Sequence, residues 1–181
     1  MKTLVVGLGN PLLGDDAVGW RVAEEVQRRL RSADWRFESG DWASQAAISN
    51  LKSQIPNPQS TIEVECFALG GLSLMERMVG YDRAIVVDAV MFGAPPGTVT
   101  CFDLADLPDR SAAHLTAAHD TSLQNALRFG RSMGAQLPNE VKVVGVEAEQ
   151  LFEFSEHLTP AVAAAVPEAT RRVLDLLNQK A

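Results

Sequence analysis

Two adjacent carboxylates, a third aspartate and a histidine are the side chains of this sequence best suited to metal or proton chemistry. Asp15 and Asp16 follow an apolar run and a glycine-rich turn. Asp88 ends a second apolar run, and His119 precedes a helical pattern. The carboxyl ends of parallel strands share one edge of a sheet, so these groups can converge although they are distant in sequence. Two carboxylates and an imidazole that leave coordination positions open suit nickel, zinc or iron.

Each of these residues also has a simpler structural interpretation. Either Asp15 or Asp16 is suited to cap the following helix, since a short carboxylate accepts the free amide hydrogens of a first helical turn. Asp88 is equally suited to accept backbone amides at the end of its strand. His119 is consistent with a helix N-terminal residue and nothing more. The residue types alone therefore leave both interpretations open.

The remaining histidines and Cys66 are more typical of structural or solvated residues than of catalytic ones. His114 lies between apolar residues, and His157 precedes Leu-Thr-Pro and is typical of a solvated residue near a helix cap. Cys66 lies in an alternating apolar stretch, which indicates a residue that fills the core. With Cys101 as the second cysteine and no CxxC pairing, a disulfide framework and a cysteine-based zinc site are not expected.

The elements that must position the acidic residues are recognisable from their apolar patterns. Residues 3–8 form a continuous apolar run, as buried parallel strands do. Val18, Val22, Val26 and Leu30 then recur every four residues, which predicts an amphipathic helix. Further strands are predicted at 61–67, 83–90, 98–102 and 141–146, and further helices at 43–51, 72–79, from 123 to about 134, and 160–177.

Strands that alternate with helices predict an α/β fold. We expect a three-layer α/β/α domain spanning residues 1–181, with a twisted, mostly parallel sheet of about five strands and helices on both faces. The strand at 61–67 alternates apolar and acidic residues, which suggests a position near the edge of the sheet. Residues 31–60 are predicted to be a surface excursion, and 107–120 an irregular loop that holds two histidines.

Composition and charge exclude several classes of function. The chain has 181 residues, 46% hydrophobic and 22% charged, with a net charge of −7. An acidic protein is a poor partner for nucleic acid or for an anionic membrane. No apolar run approaches the roughly 20 residues that a membrane helix needs, and the sequence shows no signal peptide. We therefore expect a cytoplasmic protein that binds neither nucleic acid nor membrane.

A dinucleotide site is also disfavoured. Gly7 and Gly9 match the start of a GxGxxG motif, but Leu12 stands where the third glycine is required. The acidic pair that follows Gly14 would repel a pyrophosphate. No Walker motif, HExxH helix or GxSxG elbow is present.

Four motifs together resemble the [NiFe]-hydrogenase maturation endopeptidases, and they occur in the order seen in that family. They are GLGNPLLGDDAVG at the start, Asp88-Ala89 at the end of the central strand, His119 with Leu123 one turn later, and Leu158-Thr159-Pro160. The resemblance extends from Met1 to about Leu177. It implies an enzyme that removes a short C-terminal extension from the precursor of a hydrogenase large subunit once nickel has been inserted.

The resemblance also implies site residues. The three residues that the family ties to metal fall on Asp16, Asp88 and His119, and these would complete the coordination of nickel that the precursor already holds. Asp15 or Asp16, whichever does not bind the metal, would accept a proton from the attacking water. Since the two aspartates are adjacent, the assignment of the ligand can shift by one residue. The partner would be the large-subunit precursor, and we expect the protein itself to be a monomer.

The sequence departs from the family pattern at three places. Asp16 stands where better-known members often have glutamate, which shortens the reach by one methylene group. The family has a segment resembling Asp-Gly-Gly-Thr before the middle helix, and residues 68–72 of this chain are Ala-Leu-Gly-Gly-Leu instead. The role of that acid and threonine in the family is therefore not assigned to any residue of this chain. Residues 31–60 form a longer segment than the resemblance predicts, consistent with recognition of a different large subunit.

Two other functions remain as alternatives. A nickel-sensing chaperone that binds the large subunit without cutting it would use the same three ligands. Peptidyl-tRNA hydrolases also begin with a strand followed by GLGNP, but they continue with a histidine-containing segment. Here Asp15 and Asp16 follow instead, and the acidic net charge opposes binding of tRNA.

Overall fold

The computed structural model describes residues 1–32, 61–106, 122–149, 151 and 153–179. The helix expected at 43–51 and the loop at 107–120 fall outside these residues. The strands are β1 (Lys2–Leu8), β2 (Thr61–Phe67), β3 (Arg83–Val90), β4 (Val99–Asp103) and β5 (Glu140–Glu147). The helices are α1 (Val18–Arg31), α2 (Gly71–Arg77), α3 (Leu123–Ser132) and α4 (Pro160–Asn178), with short 3-10 turns at Gly14–Ala17 and Leu104–Asp106.

The five strands form one sheet in the order β2-β1-β3-β5-β4. Strands β2, β1, β3 and β5 run parallel, and β4 pairs antiparallel with β5 at one edge. The mostly parallel sheet expected from the sequence is confirmed, as is the edge position of the strand at 61–67. The carboxyl ends of β1 and β3 are neighbours, because these two strands are directly paired.

The sheet is covered on both faces, which explains why β1 and β3 are continuously apolar. Leu4 and Val6 of β1 pack with residues of α2 and α3 on one face. Val5 points to the opposite face, where it packs with Val22 of α1 and Val173 of α4. A strand buried on both sides needs apolar side chains at every position, and the alternation of polar and apolar residues is lost.

Helix α1 approaches the sheet without intervening side chains. A Cβ atom on Gly19, in the first turn of α1, would lie 2.2 Å from the backbone oxygen of Leu8 and 2.5 Å from that of Val87. A Cβ on Gly7 of β1 would lie 2.3 Å from the backbone oxygen of Gly19. The start of α1 is therefore held against the ends of β1 and β3, and the acidic turn that precedes it is held there too.

A buried arginine connects two strands and a helix at the amino ends of the parallel strands, opposite the acidic turn. Arg83, at the start of β3, is 2% exposed, and its Nε lies 2.7 Å from Oε2 of Glu140 at the start of β5. The same guanidinium donates a hydrogen bond of 2.7 Å to the backbone oxygen of Leu176 near the end of α4. A cation at the C-terminal end of a helix is favourable because the free carbonyls there carry partial negative charge.

Candidate active site

The acidic pair lies in a 3-10 turn between β1 and α1. The chain reaches this turn through Gly9, whose φ of +123° is a conformation that residues with a side chain rarely adopt. A Cβ atom on Gly9 would lie 1.7 Å from the backbone oxygen of Asp16. The backbone amide of Asn10 donates a hydrogen bond of 2.6 Å to Oδ2 of Asp16. Glycine at position 9 is thus what lets the strand end beside the Asp16 carboxylate.

Substitution of this glycine should therefore disturb both the fold and the position of Asp16. We expect Gly9→Ala to lower the free energy of unfolding by about 3 kcal/mol, because the new methyl group clashes with backbone and the φ angle becomes strained. Urea unfolding followed by circular dichroism measures this loss.

Gly70→Ala is the matched control. Gly70 has an ordinary extended φ of −137°, and a methyl group added to it would have no atoms within 4 Å. Equal stability of the two variants would contradict the proposed role of Gly9.

Asp15 and Asp16 point to different surroundings. Asp15 is fully buried. Its Oδ1 accepts a hydrogen bond of 2.7 Å from the backbone amide of Thr159, and its Oδ2 accepts bonds of 3.0 Å from the Thr159 hydroxyl and from the amide of Glu149. A buried carboxylate that accepts at least three hydrogen bonds has little capacity left for a metal ion or a water molecule. This geometry favours Asp16 over Asp15 as the residue that contacts a ligand.

The carboxyl group of Asp88 lies in the same region as that of Asp16. The pKa of the Asp88 carboxyl is raised to about 7, first by burial and then by the negative charge of Asp16, while a hydrogen bond from the Ala89 amide acts in the opposite direction. The structure therefore brings together two of the predicted site residues, one from the turn after β1 and one from the end of β3. Two carboxylates in one partly buried place repel each other unless a proton or a cation lies with them.

His119, the third residue assigned to the metal, lies outside the described residues, as does His114. Within the described parts of the chain, no three side chains of His, Cys, Asp or Glu come together as a potential metal site. His157 is exposed, as expected, with its backbone amide bonded to the hydroxyl of Ser155. The metal site expected from the sequence thus remains a prediction for all three ligands.

The sequence predicted that Cys66 fills the core, but Cys66 is only partly buried in the edge strand β2, and Cys101 is exposed. Both are free thiols. Burial raises the pKa of the Cys66 thiol to about 11. A thiol with this pKa is protonated at neutral pH and is a weak nucleophile. Cys66 is therefore not a candidate for covalent catalysis.

Sequence patterns did not reveal the partners of Asp15. Thr159 and the amide of Glu149 are separated from it by 144 and 134 residues. The only signal for Thr159 was its place in the Leu158-Thr159-Pro160 motif, which carried the family resemblance but gave no contact. Glu147, which is 4% exposed at the end of β5, has no sequence signal of this kind; its Oε1 accepts a hydrogen bond of 2.7 Å from the amide of Gly93.

The fold and the site define an open α/β protein with a carboxylate-lined candidate active site at the carboxyl edge of its parallel strands. The model of the family described as hydrogenase maturation protease, HycI, matches residues 48–176. The chain belongs to this family, and it is a peptidase. The resemblance stated from the sequence motifs is thereby confirmed.

Individual relatives agree with the family model. The chain is 27% identical over 180 residues to the hydrogenase 2 maturation protease of Escherichia coli, a match that covers 99% of this chain and 92% of the relative. It is 26% identical to the hydrogenase expression/formation protein HoxM of Cupriavidus necator, a match that covers 97% of this chain and 74% of that protein. The solved structure of the hydrogenase maturating endopeptidase HybD from E. coli matches with a TM-score of 0.63 at 26% identity, covering 98% of this chain and 92% of that one.

None of the helices among the described residues is long and apolar enough to cross a membrane.

Proposed function

We propose that this protein removes the C-terminal extension from the precursor of a [NiFe]-hydrogenase large subunit after nickel has been inserted. In this proposal Asp16, Asp88 and His119 complete the coordination of nickel that the precursor already carries. The observation that supports it best is that Asp88 lies within reach of the Asp16 charge: burial and then this charge raise the pKa of Asp88, and a cation would relieve the repulsion between the two carboxylates. The family membership supports the peptidase activity.

The donor chemistry of the site fits the nickel of such a precursor. Carboxylate oxygens and an imidazole nitrogen are ligands that divalent nickel accepts. Bound nickel would supply Lewis acidity, which polarises a carbonyl group or lowers the pKa of water. The chain's own contribution is to hold the two carboxylates in place, with the Asn10 amide fixing one oxygen of Asp16.

The structure supports different roles for the two adjacent aspartates. Asp16 and Asp88 are proposed to contact the cation or the attacking water. Asp15, with both oxygens engaged by Thr159 and Glu149, is proposed to position the turn that carries Asp16. This assignment replaces the expectation that either aspartate is equally suited to accept a proton.

A processing assay tests the proposed function. The purified protein is mixed with nickel-loaded and with nickel-free large-subunit precursor, and the products are weighed by mass spectrometry. Loss of a C-terminal peptide from the loaded form alone is the expected result. A stable complex without loss of mass would favour the chaperone alternative, and cleavage of both forms would contradict the nickel requirement.

His119→Ala is expected to abolish processing and to leave the fold intact, because the proposal makes this imidazole a ligand of the precursor's nickel. We expect the rate of processing to fall by roughly 100-fold or more, with an unchanged circular dichroism spectrum. His157→Ala is the matched control, since His157 is exposed and is not one of the proposed nickel ligands, and the kcat of this variant should be unchanged. Normal processing by the His119 variant would remove this residue from the site.

A further inference from the structure

Large apolar side chains are exposed around the candidate site. They lie in four segments that follow the carboxyl ends of strands or precede α4: residues 9–16, 67–70, 88–97 and 153–159. We call these the docking loops. Their exposed apolar residues are Leu12, Leu69, Met91, Phe92 and Phe154. Phe154 is 90% exposed. Exposed apolar side chains gathered at one edge of a protein are typical of a surface that another molecule covers.

Backbone pairing holds the loop of Phe154 beside Leu12. The amide of Gly14 donates a hydrogen bond of 2.8 Å to the backbone oxygen of Ser155, and the amide of Ser155 donates one of 3.1 Å to the oxygen of Leu12. The buried Asp15 carboxylate fastens the end of the same loop at Thr159. Phe154 is therefore exposed to solvent on a loop that several hydrogen bonds hold in place.

A second buried carboxylate holds the loop that carries Met91 and Phe92. Glu147 accepts a hydrogen bond from the Gly93 amide through its side chain, and one of 2.8 Å from the Gly97 amide through its backbone oxygen. The ring of Phe92 packs at 5.7 Å, centroid to centroid, from the ring of Phe102 in β4. Apolar groups that are already ordered lose little conformational entropy when a partner covers them.

The charges of the docking loops indicate the chemistry of that partner. The four segments themselves contain no Lys or Arg, although Arg21 and Arg77 of the neighbouring helices reach the backbone of Glu156 and the ring of Phe67. Asp15 is buried and Asp16 and Asp88 are partly buried, so the exposed acidic side chains of the docking loops are Glu153 and Glu156. A surface of apolar and acidic residues complements a polypeptide that carries apolar side chains and positive charge.

We infer that the docking loops bind the precursor polypeptide itself, through an apolar and positively charged surface that surrounds its bound metal ion. This inference rests on the proposed function for the identity of the partner. Phe154 and the Met91-Phe92 pair contact the apolar part of that surface, and Glu153 and Glu156 contact its basic part. Recognition of the precursor thus uses contacts other than the metal ligands.

The test compares Phe154→Ser with Phe129→Ser. Phe129 is the matched control, because it is 56% exposed but lies on α3, outside the docking loops. With nickel-loaded precursor as substrate, Phe154→Ser is expected to raise KM, and the Kd measured by biolayer interferometry, about tenfold. Its kcat is expected to stay within about twofold, since the reacting groups are unchanged. Phe129→Ser should change neither constant.

A variant that removes one negative charge tests the proposed contact between the docking loops and the basic part of the precursor. Glu153→Gln should raise Kd about threefold at low ionic strength, and the difference should vanish at about 0.5 M salt. Glu76→Gln, at an exposed position on α2, is its control. An equal effect of the two glutamate variants would overturn the charge complementarity.

The outcomes separate this inference from the proposed function. If the wild type cleaves the precursor and Phe154→Ser behaves like Phe129→Ser, the docking surface is wrong and the peptidase proposal stands. If the wild type binds without cleaving and Phe154→Ser loses binding, the docking surface stands and the proposed cleavage fails. A wild type that does not bind the precursor overturns both.

Discussion

Asp88→Asn is expected to abolish processing of the precursor and, at the same time, to stabilise the metal-free protein. The loss of activity follows from the proposed role of Asp88 as a ligand of the precursor's nickel, and we expect a fall of roughly 100-fold or more in the rate of processing. The gain in stability follows from the pKa of about 7 that burial and the Asp16 charge impose on this carboxyl. A residue retained for packing alone would not show these opposite effects.

The gain in stability depends on pH in a defined direction. The pKa of Asp88 is raised from 3.8 to about 7 on folding, so the folded protein binds more protons than the unfolded chain between these values. Stability of the wild type therefore falls as the pH rises through this window. The amide introduced by Asp88→Asn does not titrate, so the advantage of this variant is absent below about pH 4 and is greatest above about pH 7.

Thermal unfolding in the presence of a chelator measures the effect. At about pH 8 the variant should be more stable by about 2 kcal/mol, which corresponds to roughly 5 °C in Tm for a protein of this size. Asp106→Asn, at an exposed position, is the control and should leave Tm unchanged at both ends of the pH range. A variant that is less stable than the wild type at every pH would show that Asp88 is instead a structural residue.

Asp15→Ala is expected to destabilise the protein more than any other substitution in the acidic turn. It removes a buried acceptor and leaves the Thr159 amide, the Thr159 hydroxyl and the Glu149 amide without this partner. Unsatisfied buried donors each cost about 1–3 kcal/mol, so we expect a total loss on the order of 4 kcal/mol. Processing should also decline, because the turn that carries Asp16 loses its anchor.

A double-mutant cycle measures the interaction energy between Asp15 and Thr159 separately from their other contacts. Thr159→Val removes only the hydroxyl and should reduce the free energy of unfolding by about 1 kcal/mol. Combined with Asp15→Asn, it should give a coupling energy of about 1 kcal/mol, measured by urea unfolding. Purely additive effects would mean that Asp15 and Thr159 do not interact in solution.

The parts of the fold that were predictable from sequence are those that local pattern determines. The continuous apolar runs at β1 and β3 arise because both faces of the sheet are covered, and the four-residue spacing from Val18 reflects the single buried face of α1. Asp88 was placed correctly at the end of its strand for the same reason. The antiparallel direction of β4 was not predicted, since a short apolar stretch carries no information on strand direction.

The roles of the two adjacent aspartates could not be distinguished from sequence. What separates them is their hydrogen bonding: Asp16 accepts from the nearby Asn10 amide, whereas Asp15 accepts from Thr159, 144 residues away. Contacts between residues so far apart in the sequence produce no hydrophobic periodicity or local motif that a single sequence would reveal. The motif Leu158-Thr159-Pro160 marked the right residues, but only the folded structure shows that Thr159 binds Asp15.

The hydrogen bonds of Asp15 with Thr159 cannot form until most of the chain has been synthesised. Asp15 and Asp16 leave the ribosome early, whereas Thr159 is made much later. Domains fold as units once their chain is available, and contacts between distant residues form late. A nascent chain thus contains the acidic pair without the partners that hold its turn in place. We expect the protein to gain peptidase activity only after the segment that carries Thr159 has been translated.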